Sequence, residues 1–225
     1  MRTTKLNDYL LQLTRCGAFN AYLVREDDGF TLVDTTFGGA ADDVITAATE
    51  AGGQIKRITL THGHGDHVGS LDTLKDRLGS NVEVSMGELD ARILAGEKVV
   101  EGRLPGSWPK VKTIPATRLT GGETIGSLEV VSTPGHSPGH IAFRDTRDGT
   151  VIAGDVFTSL GGLAVSNHFH VRFPFAAMAT WDQAKDLASA RVIRALNPSL
   201  LVVGHGPATR LPEAAIDAAI RRAQR

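Results

Sequence analysis

The stretch Thr61-His-Gly-His-Gly-Asp-His-Val-Gly69 sets four side chains of metal-ligating type, His62, His64, Asp66 and His67, close together in the chain. Imidazole nitrogens and carboxylate oxygens hold zinc and other first-row divalent ions. On an extended chain residues two apart point the same way, so His62 and His64 converge on one ion if the segment follows a strand. Gly63 and Gly65 allow the backbone to turn tightly, which lets Asp66 and His67, at the start of the next helix, face a neighbouring point. Helical zinc motifs space their histidines four apart, so this is a loop motif. His136 in TPGHSPGH, Asp155 in VIAGD and His205 in VVGHG each follow a strand-like run and have glycine or proline neighbours. Loops at the strand ends of one sheet edge are where an α/β scaffold builds a site. The seven side chains suffice for two ions sharing one carboxylate. Such a pair activates water and polarises the bond under attack.

The elements that must carry these loops are legible in the periodicity. Tyr9 to Thr14, Asn20 to Arg25 and Phe30 to Asp34 alternate as strands around short Gly-containing turns. The period then changes to about 3.6. A helix is predicted over Ala41 to Ala51, a strand over Arg57 to Thr61, and a helix face at Val68, Leu71, Leu74 and Leu78. A strand at Val82 to Ser85 and a helix near Glu88 to Leu94 continue this β/α alternation. Between Gly96 and Pro115 the glycines and prolines read as a surface loop holding Trp108. Strands follow at Leu128 to Ser132, His140 to Arg144, Thr150 to Ala153 and Leu200 to Val203. A helix begins near Thr180, which forms a candidate capping box with Gln183, and another covers Glu213 to Gln224.

Composition narrows the function class. With 24 Lys+Arg against 25 Asp+Glu over 225 residues, no basic face is available for nucleic acid or an anionic membrane. The partner expected is a small-molecule substrate, with no nucleic acid and no membrane, and a homodimer is left open. One cysteine, Cys16, excludes a disulfide scaffold; it reads as a small buried residue. The opening MRTTKLNDYLLQL lacks the apolar run of a secretory signal, which makes a cytoplasmic protein the expectation.

H-x-H-x-D-H followed in order by GH, GD and GHG resembles the metallo-β-lactamase superfamily, and the resemblance covers essentially the whole chain. It implies an α/β fold, a single domain over residues 1–225 built as a four-layer αββα sandwich of two mixed sheets with helices outside. It also implies that His62, His64 and His136 hold one ion, that Asp66, His67 and His205 hold a second, and that Asp155 bridges them. The ligand types favour two zinc ions, with iron, manganese, nickel or cobalt as alternatives. The expected reaction is attack of a bridging hydroxide on an ester, lactone or thioester carbonyl, with Asp66 assisting proton transfer. Asp34, in TLVDTT, resembles a position the family uses to orient a metal-binding histidine.

Departures from the family's branches narrow the reading further. Exported β-lactamases of classes B1 and B2 carry a cysteine near the Asp155 position. Flavodiiron oxidoreductases carry a glutamate where His64 stands. Glyoxalase II adds a helical extension that helps hold glutathione, whereas twenty residues follow His205 here. Quorum-quenching lactonases use a tyrosine beyond the bridging aspartate, and Tyr9 and Tyr22 are the only tyrosines in this chain. Two alternatives to the dinuclear hydrolase stay open: a mononuclear iron oxidoreductase resembling the persulfide dioxygenases, and a phosphodiesterase of the same fold.

Val156 to Ala179 carries four phenylalanines directly after Asp155 and reads either as a pocket wall or as a segment packing on the body or a second subunit. His168, His170 and Arg172 alternate there, so one face is placed to meet a substrate carbonyl or carboxylate. His140 is expected beside the ligands rather than among them.

Overall fold

The computed structural model describes residues 1–170 and 173–224. The first sheet holds β1 (Arg2–Lys5), β2 (Leu10–Arg15), β3 (Phe19–Glu26), β4 (Gly29–Val33), β5 (Ile55–Leu60), β6 (Glu83–Gly87) and β7 (Thr117–Leu119), in chain order. The first four strands pair antiparallel and the pairs from β4 to β7 are parallel. The second sheet holds β8 (Thr124–Ile125), β9 (Leu128–Ser132), β10 (Ile141–Asp145), β11 (Thr150–Ile152), β14 (Leu200–Val202) and β15 (Thr209–Arg210). Only β11 and β14 pair in parallel in that sheet. A short ribbon, β12 (Phe157–Thr158) with β13 (Ala164–Val165), stands apart.

Strand alternation builds three apolar layers. On β3, Ala21 and Leu23 face the helices α1 (Ala41–Glu50), α3 (Leu71–Leu78) and α4 (Glu88–Leu94), while Tyr22 and Val24 face the other sheet. On β10, Ile141 and Phe143 join that inter-sheet layer. Ala142 points the other way, to the layer shared with α6 (Gln183–Ala195) and α7 (Glu213–Ala223). The central strands β3 and β10 are therefore covered on both faces. The result is the expected αββα sandwich, and burial at about 25 cal/mol per Å² of apolar surface is its main stabilisation.

Several sequence expectations are corrected. The helix expected across Val68 to Leu78 breaks into α2 (Gly65–Val68) and α3, because Ser70 turns its hydroxyl to the Phe37 carbonyl and takes the Ala40 N–H. Thr180 does not cap α6. Asp182 does, accepting the Lys185 N–H at 3.0 Å. Cys16 is exposed in a turn at φ 49°, so it is no core residue. The edge strands β1, β7, β8 and β15 are too short or too polar to show in the hydrophobic pattern. Among the described residues no helix is long and apolar enough to cross a membrane.

Candidate metal centre

All seven site residues lie just beyond strand ends. His62 and His64 leave β5, with His64 the residue before α2, which carries Asp66 and His67. His136 lies in the β9–β10 turn. Asp155 and His205 leave the same ends of the parallel neighbours β11 and β14. Among the described residues, ligand-type atoms gather in three overlapping groups, His62–His64–His136, His62–His67–Asp155 and Asp66–His67–His205, each within 4.8 Å. The structure thus brings together every side chain singled out from the spacing.

Hydrogen bonds around the cluster fix where the histidine lone pairs point. The Thr61 hydroxyl donates to Asp34 Oδ2 (2.8 Å), so its oxygen accepts from His62 Nδ1–H at 3.0 Å and leaves His62 Nε2 free. Thr180 Oγ1, committed as donor to the Ser166 or Ala176 carbonyl, accepts from His136 Nδ1–H at 3.0 Å. His64 turns Nε2 toward the Pro105 carbonyl and Gly106. His62 Nε2 and His136 Nε2 therefore both sit 3.1 Å from His64 Nδ1, three lone pairs converging on one point. Burial holds His62 and His136 well below the usual histidine range and brings His64 down to about 4, so all three stay neutral.

The second half of the cluster mixes charges. His67 donates Nδ1–H to Asp34 Oδ2 at 2.8 Å, and its Nε2 faces Asp155 Oδ1 at 3.4 Å. His205 Nε2 lies 3.0 Å from Asp155 Oδ2 and 3.3 Å from Asp66 Oδ2. Burial opposes the charge on His205, but Asp155 and Asp66 lift it to about 9; the same carboxylates with Asp34 raise His67. Burial likewise opposes ionisation of Asp66 and Asp155, and the neighbouring His67 and His205 hold both carboxyls below the usual range.

This donor set fits divalent metal. His67 Nε2 and Asp155 Oδ1 are buried and lack any hydrogen-bond partner, a costly arrangement that a cation between them relieves. Two glycines show how closely the backbone approaches. A Cβ at Gly204 would lie 2.0 Å from Asp155 Oδ1, and one at Gly106, where φ is +80°, would lie 2.4 Å from His64 Nε2.

The remaining expectations sort by position. His140 is not among the converging atoms. It accepts the Asp155 N–H on Nε2 (3.1 Å) and pairs with Thr133 through Nδ1 (2.9 Å), so it steadies Asp155. His168 is exposed and His170 half-buried, and neither reaches the cluster; Arg172 lies outside the described residues. Tyr22 is spent between the sheets, donating to the Val203 carbonyl at 2.6 Å. Trp108 of the 96–115 loop stacks edge-on to His64 at 5.0 Å, which puts this loop along one side of the cleft. Val156 to Ala179 divides. Val156, Phe157, Leu163 and Val165 are core, whereas Phe173, Phe175, Ala176 and Ala179 line the metal pocket.

Sequence reasoning passed over Asp90. This wholly buried carboxylate accepts from Gly63 N–H (2.9 Å), Ser137 Oγ–H (2.5 Å) and Gly139 N–H (2.6 Å), tying the loop of His62 and His64 to that of His136. An acidic residue in a first helical turn reads as a dipole partner, and nothing local marks it as a clasp.

Comparison with known proteins agrees with this geometry. The family model of the metallo-beta-lactamase superfamily matches residues 14–205. YobT of Bacillus subtilis (strain 168) is 43% identical over 212 residues, 92% of this chain and 91% of that one. A hydroxyacylglutathione hydrolase of Rhodospirillum rubrum is 30% identical over 89% of this chain, which spans 63% of that protein's length. The crystal structure of TTHA1623 in a di-iron-bound form superposes with a TM-score of 0.69 at 28% identity, covering 90% of this chain and 94% of that one. The chain belongs to the metallo-beta-lactamase superfamily.

Proposed function

We propose that the protein is a dinuclear metal-dependent hydrolase acting on an ester, lactone or thioester of a small molecule. The observation that carries this reading is the pair of adjoining donor groups, three neutral imidazoles on one side and Asp66, His67 and His205 on the other, with Asp155 reaching His67, His136 and His205. His62, His64 and His136 would hold one ion, Asp66, His67 and His205 the other, and Asp155 would lie between them. When bound, such a pair supplies Lewis acidity and a water that ionises near neutral pH. Zinc suits the ligands best, and the di-iron form of TTHA1623 keeps iron among the metals to be tested.

The chain's own groups supply orientation and proton handling. Asp34 and Thr61 fix the His62 and His67 tautomers. Asp66, with 31% of its side chain exposed, is the carboxylate that faces incoming substrate and, being ionised, can take a proton from the attacking water and relay it to the leaving group. Similarity to hydroxyacylglutathione hydrolases supports including thioesters in the substrate class. The formal charge of -1 supports a small molecule over nucleic acid.

The test is metal analysis followed by assay of metal-defined protein on lactones, thioesters, carboxylic esters, phosphodiesters and β-lactams. About two metal ions per chain with hydrolysis of a carboxylic ester, lactone or thioester is the expected result. One iron per chain with oxygen consumption would overturn it in favour of a persulfide-dioxygenase-like oxidoreductase, and turnover of phosphodiesters alone would favour that activity.

A further inference from the structure

His64, Asp66, His136, Asp155 and His205 bound a cavity of about 70 Å³. At about 30 Å³ per water, that volume is taken up by the ions the cluster would hold, the attacking water and the scissile group, so the rest of a substrate must lie outside it. The cavity runs past Asp66, Ser107 and Phe175, which line both spaces, into a groove of about 790 Å³. Phe19, Phe37, Pro109, Phe175 and Met178 wall that groove.

The aromatic rings form one connected belt. Phe37 meets Phe19 at 5.3 Å between centroids, Phe19 meets the His205 imidazole at 5.1 Å, His205 meets Phe173 at 4.8 Å, and Phe173 meets Phe175 at 5.8 Å. Apolar wall and candidate metal cluster therefore share a member, His205. Phe175 and Met178 are left 66% and 68% exposed at the mouth, apolar surface of the kind that marks a binding groove.

Charge narrows the occupant. Among the described residues Asp66 is the only ionisable side chain lining the groove. Arg15 abuts Phe37, with its Nη1 on the Phe37 and Gly38 carbonyls at 2.7 and 2.8 Å and its guanidinium over the Phe37 ring, and is not among the described residues lining the groove. The described lining thus offers an apolar chain aromatic rings and a thioether, and sets the like charge of Asp66 against a carboxylate.

We propose that the substrate is an ester, thioester or lactone carrying an apolar, uncharged chain of several carbons. Its carbonyl lies in the small cavity and its chain runs along Phe19, Phe37, Phe175 and Met178. The inference rests on the hydrolase reading above and names its substrate class. The acyl carbon gains the water oxygen and loses the leaving oxygen or sulfur, which takes a proton; nothing is oxidised or reduced.

The experiment pairs turnover with binding. Metal-loaded protein is assayed on p-nitrophenyl acetate, butyrate, hexanoate and octanoate and on an octanoate ester ending in a carboxylate. Binding of the neutral amides butanamide to decanamide is measured by calorimetry on the same preparation. Expected is a rise in kcat/KM of about two- to fourfold per methylene, a loss of at least tenfold on adding the terminal carboxylate, and amide affinity rising in step. Phe175→Ala and Met178→Ser should flatten that slope. Turnover independent of chain length, or undiminished by the carboxylate, overturns the groove assignment and leaves the hydrolase reading standing. Amide affinity that climbs with length, without turnover of these esters or of the lactones and thioesters assayed on the metal-defined protein, overturns the hydrolase reading and supports the groove. Neither turnover nor chain-dependent binding overturns both.

Discussion

Thr61 and Asp34 are joined twice: the Thr61 N–H donates to Asp34 Oδ1 and its hydroxyl to Asp34 Oδ2, both at 2.8 Å. The same Oδ2 takes the His67 Nδ1 proton, and the same hydroxyl oxygen takes that of His62. One carboxylate thus orients a histidine on each side of the cluster. Asp34 sits at φ 62°, a conformation that aspartate and asparagine tolerate better than alanine.

Asp34→Asn should therefore keep the fold while weakening metal binding about 10- to 100-fold, the usual cost of losing an orienting partner. Competition against a chelator of known affinity measures it. Unchanged affinity would mean that Asp34 serves only the loop before α1.

For Asp90, truncation removes the acceptor of three donors enclosed between two loops. Asp90→Ala should cost about 3–5 kcal/mol in urea unfolding. Loss of less than 1 kcal/mol would show that water replaces the carboxylate there.

Gly204→Ala places a methyl group on Asp155 and His67. Because the displaced groups are donors rather than core, metal content should fall well below that of the parent while circular dichroism stays native. Full occupancy in the variant would contradict the packing described.

Burial lifts the Asp90 carboxyl to about 6 against its three donors, and lifts Asp186 well above the usual range. An acid whose folded pKa exceeds its unfolded value holds protons more tightly when folded. Its contribution is full below about pH 4 and is lost as pH rises through the folded pKa. Asp186→Asn stays neutral throughout, so its stability relative to the parent should improve between pH 5 and pH 8. Urea midpoints at both pH values provide the check, and an equal difference at the two would refute it.

Stripping metal with a chelator should lower the melting temperature, and re-adding zinc should restore it in a concentration-dependent way, because a ligand bound only by the folded state stabilises it by mass action. A melting temperature indifferent to chelator and metal would argue against occupancy of the cluster.

The sequence by itself determined the donor types, their order and the strands that carry them. Histidines two apart beyond a strand, glycines that let a loop turn, and alternating apolar residues are local properties of the chain, so His62, His64, Asp66 and His67 were legible from spacing, the alternation of strands and helices from pattern, and the αββα architecture from resemblance alone. Only the tertiary structure decided what reaches across. The pairings of His64 with His136, 72 residues apart, and of Asp90 with Gly139, 49 apart, depend on how two sheets stack. So do the turning of Thr180 from helix cap to histidine partner and the meeting of Phe37, Phe19, His205 and Phe173. Side-chain periodicity says which face a residue takes. Which residue of another element faces it is settled only when the apolar layers have packed.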